Sequence, residues 1–393
     1  MNKLFIYASH INKFSNIAQL QRISCLCLLM QASASAGSRK TYSTTDYFNY
    51  NNNKGERKIG SENTNIDLLR SQIGPYLAGL IEGDGTIAVH DTNSNINKYN
   101  PKFIIVFKKA DLPLANFLKN ITKCGTVLIK PERGYVLWQT QDIVSIFTII
   151  SIVNGFMRTP KKEALDSSII WLNNYIIKAA AKKIFNDNLL RSRGACLRDN
   201  KSILDKISIL EIKPTDLSPL DSNAWLSGFT DADGNFSINI HKRTDKNSTR
   251  VQLYYRLEIK QNYHKLELEE RMLAKVSFFP IISKIGLFLG VSVYSRSRIQ
   301  KDKIYYSFIV ISHNKSSNSI VFDYFNKYPL LSSKKLDFND WAYILKLQNA
   351  NKLTTSYLES AIKIRTDFNK TRTTFVWDHL QLNKYKEEIE IEK

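Results

Sequence analysis

Tyr76-Leu-Ala-Gly-Leu-Ile-Glu-Gly-Asp84-Gly-Thr-Ile-Ala-Val89 and Trp225-Leu-Ser-Gly-Phe-Thr-Asp-Ala-Asp233-Gly-Asn-Phe-Ser-Ile238 are two versions of one sentence. Each starts as an apolar helix with small residues in its face, delivers an Asp followed at once by Gly, then alternates apolar and polar side chains. Asp233 follows Asp84 by 149 positions (233 − 84), so the chain reads as a duplicated unit with one key carboxylate per copy. Gly79 and Gly83 lie four apart on one helical face, and Gly228 and Ala232 hold the same offsets. Small residues at that spacing let two helix backbones approach closely. Glycine within a helix costs about 1 kcal/mol relative to alanine, so Gly79 and Gly228 are expected to serve packing. Two such helices packed in parallel bring Asp84 and Asp233 together at their C-terminal ends. Gly85 and Gly234 suit a helix exit that requires positive φ.

That geometry concentrates negative charge, because helix C-termini already carry a partial negative charge. Either one Asp takes up a proton or divalent cations fill the site, since carboxylates, backbone carbonyls and water are the hard ligands that Mg²⁺ prefers. Paired metals held this way drive in-line phosphodiester hydrolysis.

The two stretches resemble the nonapeptides of the LAGLIDADG homing endonuclease family in its double-motif, single-chain form. Leu77–Gly85 matches at Leu, Ala, Gly, Leu, Ile, Asp84 and Gly85; Leu226–Gly234 matches at Leu, Gly, Asp231, Ala232, Asp233 and Gly234. The resemblance implies Asp84 and Asp233 as metal ligands, the Gly83 and Ala232 carbonyls as further donors, and Mg²⁺, with Mn²⁺ as an alternative, as the ion. Glu82 and Asp231 read as structural residues near the helix ends. A basic segment near the end of each unit, Asn154-Gly-Phe-Met-Arg-Thr-Pro-Lys161 and Tyr328-Pro-Leu-Leu-Ser-Ser-Lys334-Lys335, resembles the family segment that carries an active-site lysine. By position this implies Lys161 and Lys334, where a lysine can polarise water or stabilise charge on a phosphate. The strand ends Phe103–Asp111 and Leu257–Asn262 imply Lys109 and Gln261 as polar groups that organise water, Lys109 departing from the commoner amide.

The implied fold is α+β: two pseudo-symmetric αββαββα units packed through their motif helices, with antiparallel DNA-binding sheets. The first unit covers 74–185 and the second 222–350. The expected first-unit order is a motif helix over about 74–84, strands near 86–90 and 102–108, a helix near 112–123, strands near 126–130 and 135–140, and helices over about 142–153 and 160–177. The second unit repeats it with a helix over about 222–232, strands near 235–241 and 251–260, a helix over about 263–276, strands near 292–298 and 304–311, and helices over about 315–328 and 334–348. Val276–Tyr294 is apolar but interrupted by Pro280, Lys284, Gly286 and Gly290, and reads as buried strand and turn. Residues 186–221 form a basic linker, and 351–393 a tail with no assigned chemistry.

A net charge of +20 over 393 residues calls for a polyanionic partner. Charge alone fits ribosomal proteins, RNA chaperones and membrane-surface proteins equally well, whereas the arrangement narrows the choice. Basic and polar residues alternate along the expected strands, among them His241, Lys242, Arg243, Arg250, Gln252, Arg256, Arg296, Arg298 and Lys301. Period-2 alternation places one set on an exposed face, where it can read base edges in a major groove and grip phosphates.

The leading expectation is a monomeric DNA endonuclease that cuts a long asymmetric double-stranded site at an intron insertion point. The alternative is a maturase that assists splicing of a group I intron RNA, since the family is known for both roles. An aspartic protease or glycosidase fits poorly: the order is Asp84-Gly-Thr rather than Asp-Thr-Gly, and basicity does not suit a neutral substrate. The four cysteines, Cys25, Cys27, Cys124 and Cys196, are too scattered for a disulfide framework or zinc site, and no segment reads as a stable membrane insertion. Residues 1–45 carry Lys3, Lys13, Arg22, Arg39 and Lys40 and no acid. They resemble a mitochondrial presequence or the upstream extension of an organellar intron reading frame; either places the protein in mitochondria. Residues 46–73 read as a polar linker.

Overall fold

The computed structural model describes residues 61–89, 100–192, 203–243, 248–263, 277–301, 303–350 and 355–381. The expected presequence-like segment therefore lies outside the described residues. Both motif units fall within one compact body, Gly60–Lys393.

The first unit runs α1 (Ser61–Asp84), β1 (Gly85–Ala88), β2 (Lys102–Lys108), α2 (Leu112–Thr122), β3 (Thr126–Lys130), β4 (Tyr135–Thr140), α3 (Ile143–Val153) and α4 (Lys162–Ser192). The second runs α5 (Trp225–Asp233), β5 (Gly234–Arg243), β6 (Ser248–Lys260), α6 (Phe279–Leu289), β7 (Val293–Gln300), β8 (Lys303–Ser312), α7 (Lys315–Lys327) and α8 (Lys334–Asn349), followed by α9 (Thr355–Thr366) and α10 (Asp378–Gln381). Each unit builds a four-stranded antiparallel sheet of the same order, β1-β2-β4-β3 and β5-β6-β8-β7. The register repeats too: Gly85 opposes Ile105 as Gly234 opposes Leu257. Equivalent helices even share an N-cap device, with the Asp142 and Asn314 side chains each accepting from the backbone N–H three residues on, at 2.8 Å.

One face of each sheet is packed by helices. Phe103, Ile105, Phe107, Val136 and Trp138 are buried in the first. In the second, Phe236 contacts the rings of Tyr255, Phe325, Phe338 and Trp341. The units join through α1 and α5, which run parallel with their small residues in contact. A Cβ on Gly79 would stand 2.0 Å from the Trp225 carbonyl oxygen, and one on Gly228 1.9 Å from that of Tyr76. Only glycine allows these backbones to meet, which explains two residues that helix propensity disfavours.

Several expectations need correction. The motif helix starts at Ser61, so residues 61–73 are helical rather than linker; upstream of Pro75 the helix packs at Gly74 against α3, within reach of the Ile152 carbonyl. Within Val276–Tyr294 there is a helix, α6, not strand and turn. Pro280 sits in its first turn, where no N–H is missed, and Gly290 closes it at φ 65°. The helix expected over 263–276 falls outside the described residues. Gly85 and Gly234 have no positive φ: Gly234 sits at φ −81°. Their requirement is steric, since a Cβ would come within 2.5 Å of the Ile81 carbonyl oxygen and of Thr230 Cγ2 respectively. The stretch 203–219 of the expected linker is docked on the first unit, where Asn154 bridges the Glu211 carbonyl and the Lys213 N–H. The tail is docked as well: Asn369 donates to the Phe236 carbonyl at 3.0 Å, and Arg372 pairs with Asp337 at 2.9 Å.

Candidate active site

The parallel crossing of α1 and α5 ends on the two aspartates. A Cβ on Gly83 would lie 2.1 Å from Ala232 Cβ and 3.4 Å from Asp233 Oδ2, so the helix ends converge at the predicted carboxylates. Asp84 opens to solvent at the mouth, and Asp233 is half-buried. Burial, then the neighbouring Asp84 charge, push the Asp233 carboxyl up to about 6. The surrounding protein mass also raises Asp84, against the opposing pull of Lys334 and Lys161.

Each helix end is capped by a lysine from a distant segment. Lys161 Nζ donates to the carbonyls of Ile81, Gly83 and Gly85 at 3.2, 2.6 and 2.7 Å. Lys334 Nζ donates to those of Thr230, Asp231 and Ala232 at 3.1, 2.7 and 2.7 Å. All three ammonium donors are thus spent on a negative helix terminus. Burial lowers both lysines, Lys161 to about 8, while the carboxylates oppose the shift.

Glu82 and Asp231 hold the segments that supply those lysines. The buried Glu82 carboxylate accepts from the backbone N–H groups of Arg158 and Thr159 and from Trp225 Nε1 of the other unit, at 2.5–3.0 Å. Asp231 accepts from the Tyr76 hydroxyl of the other unit, from the Leu331 and Ser332 N–H groups and from the Ser332 hydroxyl. A further tie crosses between units, the Ser333 N–H donating to Asp111 at 2.7 Å.

The other expected residues fall elsewhere. Lys109 is exposed in a short 3-10 turn. Gln261 occupies the equivalent strand end, but its amide donates to Ser295 Oγ at 2.7 Å. No hydrogen bond joins either to the carboxylates. Lys260, which sequence reasoning passed over, does sense Asp233: burial lowers its pKa and Asp233 raises it. Its signal was its place one residue before Gln261, in register with Lys108. On the second sheet Arg250, Gln252, Arg256, Arg296 and Arg298 share the face that helices leave open, with His241 opposite Arg250. Lys242 lies on the other face, beside Ile240, Ile362 and Arg365 of α9. Lys301 sits at the exposed tip of the β7–β8 hairpin at φ 48°, and the Arg243 side chain lies outside the described residues.

Among the described residues no cluster of three His, Cys, Asp or Glu side chains could hold a metal. The two carboxylates can still do so with backbone oxygens. Each carbonyl has a second lone pair beyond the one its lysine uses, so Gly83 and Ala232 complete an all-oxygen donor set that fits a hard divalent cation. Two mutually repelling carboxylates with raised pKa values are the electrostatic complement of such an ion. No helix among the described residues is long and apolar enough to cross a membrane.

A family profile described as LAGLIDADG endonuclease matches residues 77–170 and 226–345, over half of the chain. The intron-encoded DNA endonuclease aI3 of Saccharomyces cerevisiae is 42% identical over 348 residues, covering 86% of this chain and 79% of that protein. An uncharacterized cox1 intron-2 protein of Schizosaccharomyces pombe is 27% identical over 345 residues, covering 86% of this chain and 85% of its own. The LAGLIDADG homing endonuclease I-GzeII, solved in complex with a DNA target, is similar with a TM-score of 0.48 at 18% identity, covering 76% of this chain and 99% of that one.

Proposed function

Since the chain belongs to the LAGLIDADG endonuclease family, we propose that it is a Mg²⁺-dependent homing endonuclease that cuts both strands of DNA at one long, asymmetric intron insertion site. The observation that carries this reading is the pair Asp84 and Asp233 held at touching helix ends, one end capped by the buried Lys161 and the other by the half-buried Lys334. A divalent cation held there, Mg²⁺ or Mn²⁺, supplies Lewis acidity for phosphodiester hydrolysis. The chain itself supplies position and charge. Asp84, Asp233 and the Gly83 and Ala232 carbonyls hold the ion; Lys161 and Lys334 fix those carbonyls and keep positive charge where a scissile phosphate develops negative charge. Lys260 adds a cation on the second unit's side. Gln261 and Lys109 are assigned to organising water at the strand ends.

The open sheet faces take the duplex, with Arg250, Gln252, Arg256, Arg296, Arg298, Lys301 and His241 on the DNA side. Because one chain carries both halves of the site, a monomer suffices. Similarity to a cox1 intron protein supports a mitochondrial home.

The test is cleavage of a plasmid carrying the intronless host-gene junction with Mg²⁺, comparing the parent chain with Asp84→Asn and Asp233→Asn. A specific double-strand cut lost in both variants is the expected result. No cut at any salt, together with tight binding to the intron RNA, would replace the nuclease by a splicing maturase.

A further inference from the structure

The open faces of the two sheets are topologically equivalent, and they differ most where the apolar Val106 of one is replaced by the charged Glu258 of the other. On the first, Val106 pairs with Leu137 and Leu137 with Leu128, so three apolar side chains form one unbroken row across β2, β4 and β3. Val106 and Leu128 are 40% and 38% exposed. Beside this row run Lys108, Tyr135 and Lys130 in the same register. The row is therefore an apolar strip with lysines along one side and Ile104, Gln139 and Thr126 along the other. It lies level with the active site, since Gly85 opposes Ile105, the residue before Val106.

The position equivalent to Val106 on the second sheet is Glu258, next to Leu257 opposite Gly234. Glu258 gathers an arginine array: it hydrogen-bonds Arg256 and Arg298, lies 3.7 Å from Arg296, and accepts from the Ser307 hydroxyl at 2.8 Å. Although burial opposes it, the Ser307 bond and the Arg256 and Arg298 charges hold this carboxyl below its ordinary range.

We propose that the two sheets read different base chemistry on either side of the cut: the first reads thymine methyl groups through Val106, Leu128 and Leu137, and the second reads guanines through Arg256, Arg296 and Arg298, which Glu258 holds in place. This rests on the DNA-cutting function above and specifies its substrate. Charge complementarity selects the occupant of the strip. Its flanking lysines suit phosphates, and among base edges in the major groove only thymine offers a methyl group. Arginine is matched to the O6 and N7 acceptors of guanine. Glu258 acts as a positioning residue, so that less side-chain freedom is lost when the duplex arrives.

The experiment alters the DNA, so protein folding does not intervene. A duplex selected for tight binding from a random pool is resynthesised with uracil for each thymine, which removes only the methyl, or with 7-deazaguanine for each guanine, which removes only N7. Uracil is expected to weaken binding about fourfold per buried methyl, in one half-site. 7-Deazaguanine is expected to weaken it about tenfold, in the other. Val106→Ala with Leu128→Ala reduces the uracil effect alone, and Arg298→Ala reduces the 7-deazaguanine effect alone. Glu258→Gln should tighten overall binding at low salt while reducing discrimination against 7-deazaguanine, a split that simple loss of structure would not produce. Specific binding with both effects scattered over the two halves, or unmoved by these variants, overturns the proposal and leaves the nuclease standing. Failure to select any specific duplex overturns both.

Discussion

Replacing Gly228 by alanine sets two physical expectations against each other. Helix propensity alone predicts stabilisation of about 1 kcal/mol. The structure predicts the opposite, because the new Cβ would stand 1.9 Å from the Tyr76 carbonyl oxygen and 2.8 Å from the Leu80 nitrogen. Real Cβ contacts essentially never fall below 3.0 Å, so α1 and α5 must separate by about 1 Å locally. Neither obstructing atom belongs to a side chain that can swing away. Separation also loosens the symmetric Gly79–Trp225 contact and the Tyr76–Asp231 hydrogen bond of 2.7 Å. Overpacking of this kind costs about 1–3 kcal/mol or more, and we take roughly 3 kcal/mol as the net loss. For the single body Gly60–Lys393 that lowers Tm by about 4 °C, read by thermal unfolding with cleavage measured in parallel. A methyl transfer sharpens the test. Gly83→Ala alone drives its Cβ to 2.1 Å from that of Ala232, whereas Gly83→Ala with Ala232→Gly moves the methyl across the interface. The pair should recover at least about 1 kcal/mol beyond additivity. A Gly228→Ala chain as stable as its parent would show that the two backbones do not meet this closely.

Because Asp233 titrates at about 6 against an ordinary 3.8, the folded state binds that proton more tightly. Its contribution is present below pH 3.8 and lost as pH rises through 6, by at most about 3 kcal/mol. Without divalent cation, Asp233→Asn should therefore exceed the parent in stability at pH 7.5, and with Mg²⁺ it should cut nothing; equal denaturant midpoints would count against it. Lys161→Met and Lys334→Met should each reduce cleavage by about 100-fold or more while duplex affinity changes only a few-fold, so a parallel loss of binding would place these lysines in DNA contact instead. Glu82→Gln turns an acceptor of three N–H groups into a partial donor facing them, and should cost about 2–4 kcal/mol in chemical unfolding.

Strand and helix periodicities, the Asp-Gly punctuation and the small-residue face are local patterns, and they made the duplicated αββαββα order readable from residues alone. The same locality explains the errors. Pro280 and Gly290 look like breakers until one sees that they stand at the two ends of a helix, and the polar stretch ahead of Gly74 is helical because its far end packs on α3. Asp84 and Asp233 were legible because each sits inside a repeated signature. What Lys161 and Lys334 do there was not, since each ammonium finds its carbonyls roughly 80 or 100 positions back along the chain. Nor could any spacing reveal that Glu82 and Asp231 tie down those lysine segments, that Asp111 reaches Ser333, or that Val106 and Glu258 hold equivalent positions on the two open sheet faces. Two matched units and their carboxylates follow from short-range periodicity, which the order of residues carries alone. Which charges meet is settled by packing, because buried polar groups take whichever partners the folded chain brings within hydrogen-bonding distance.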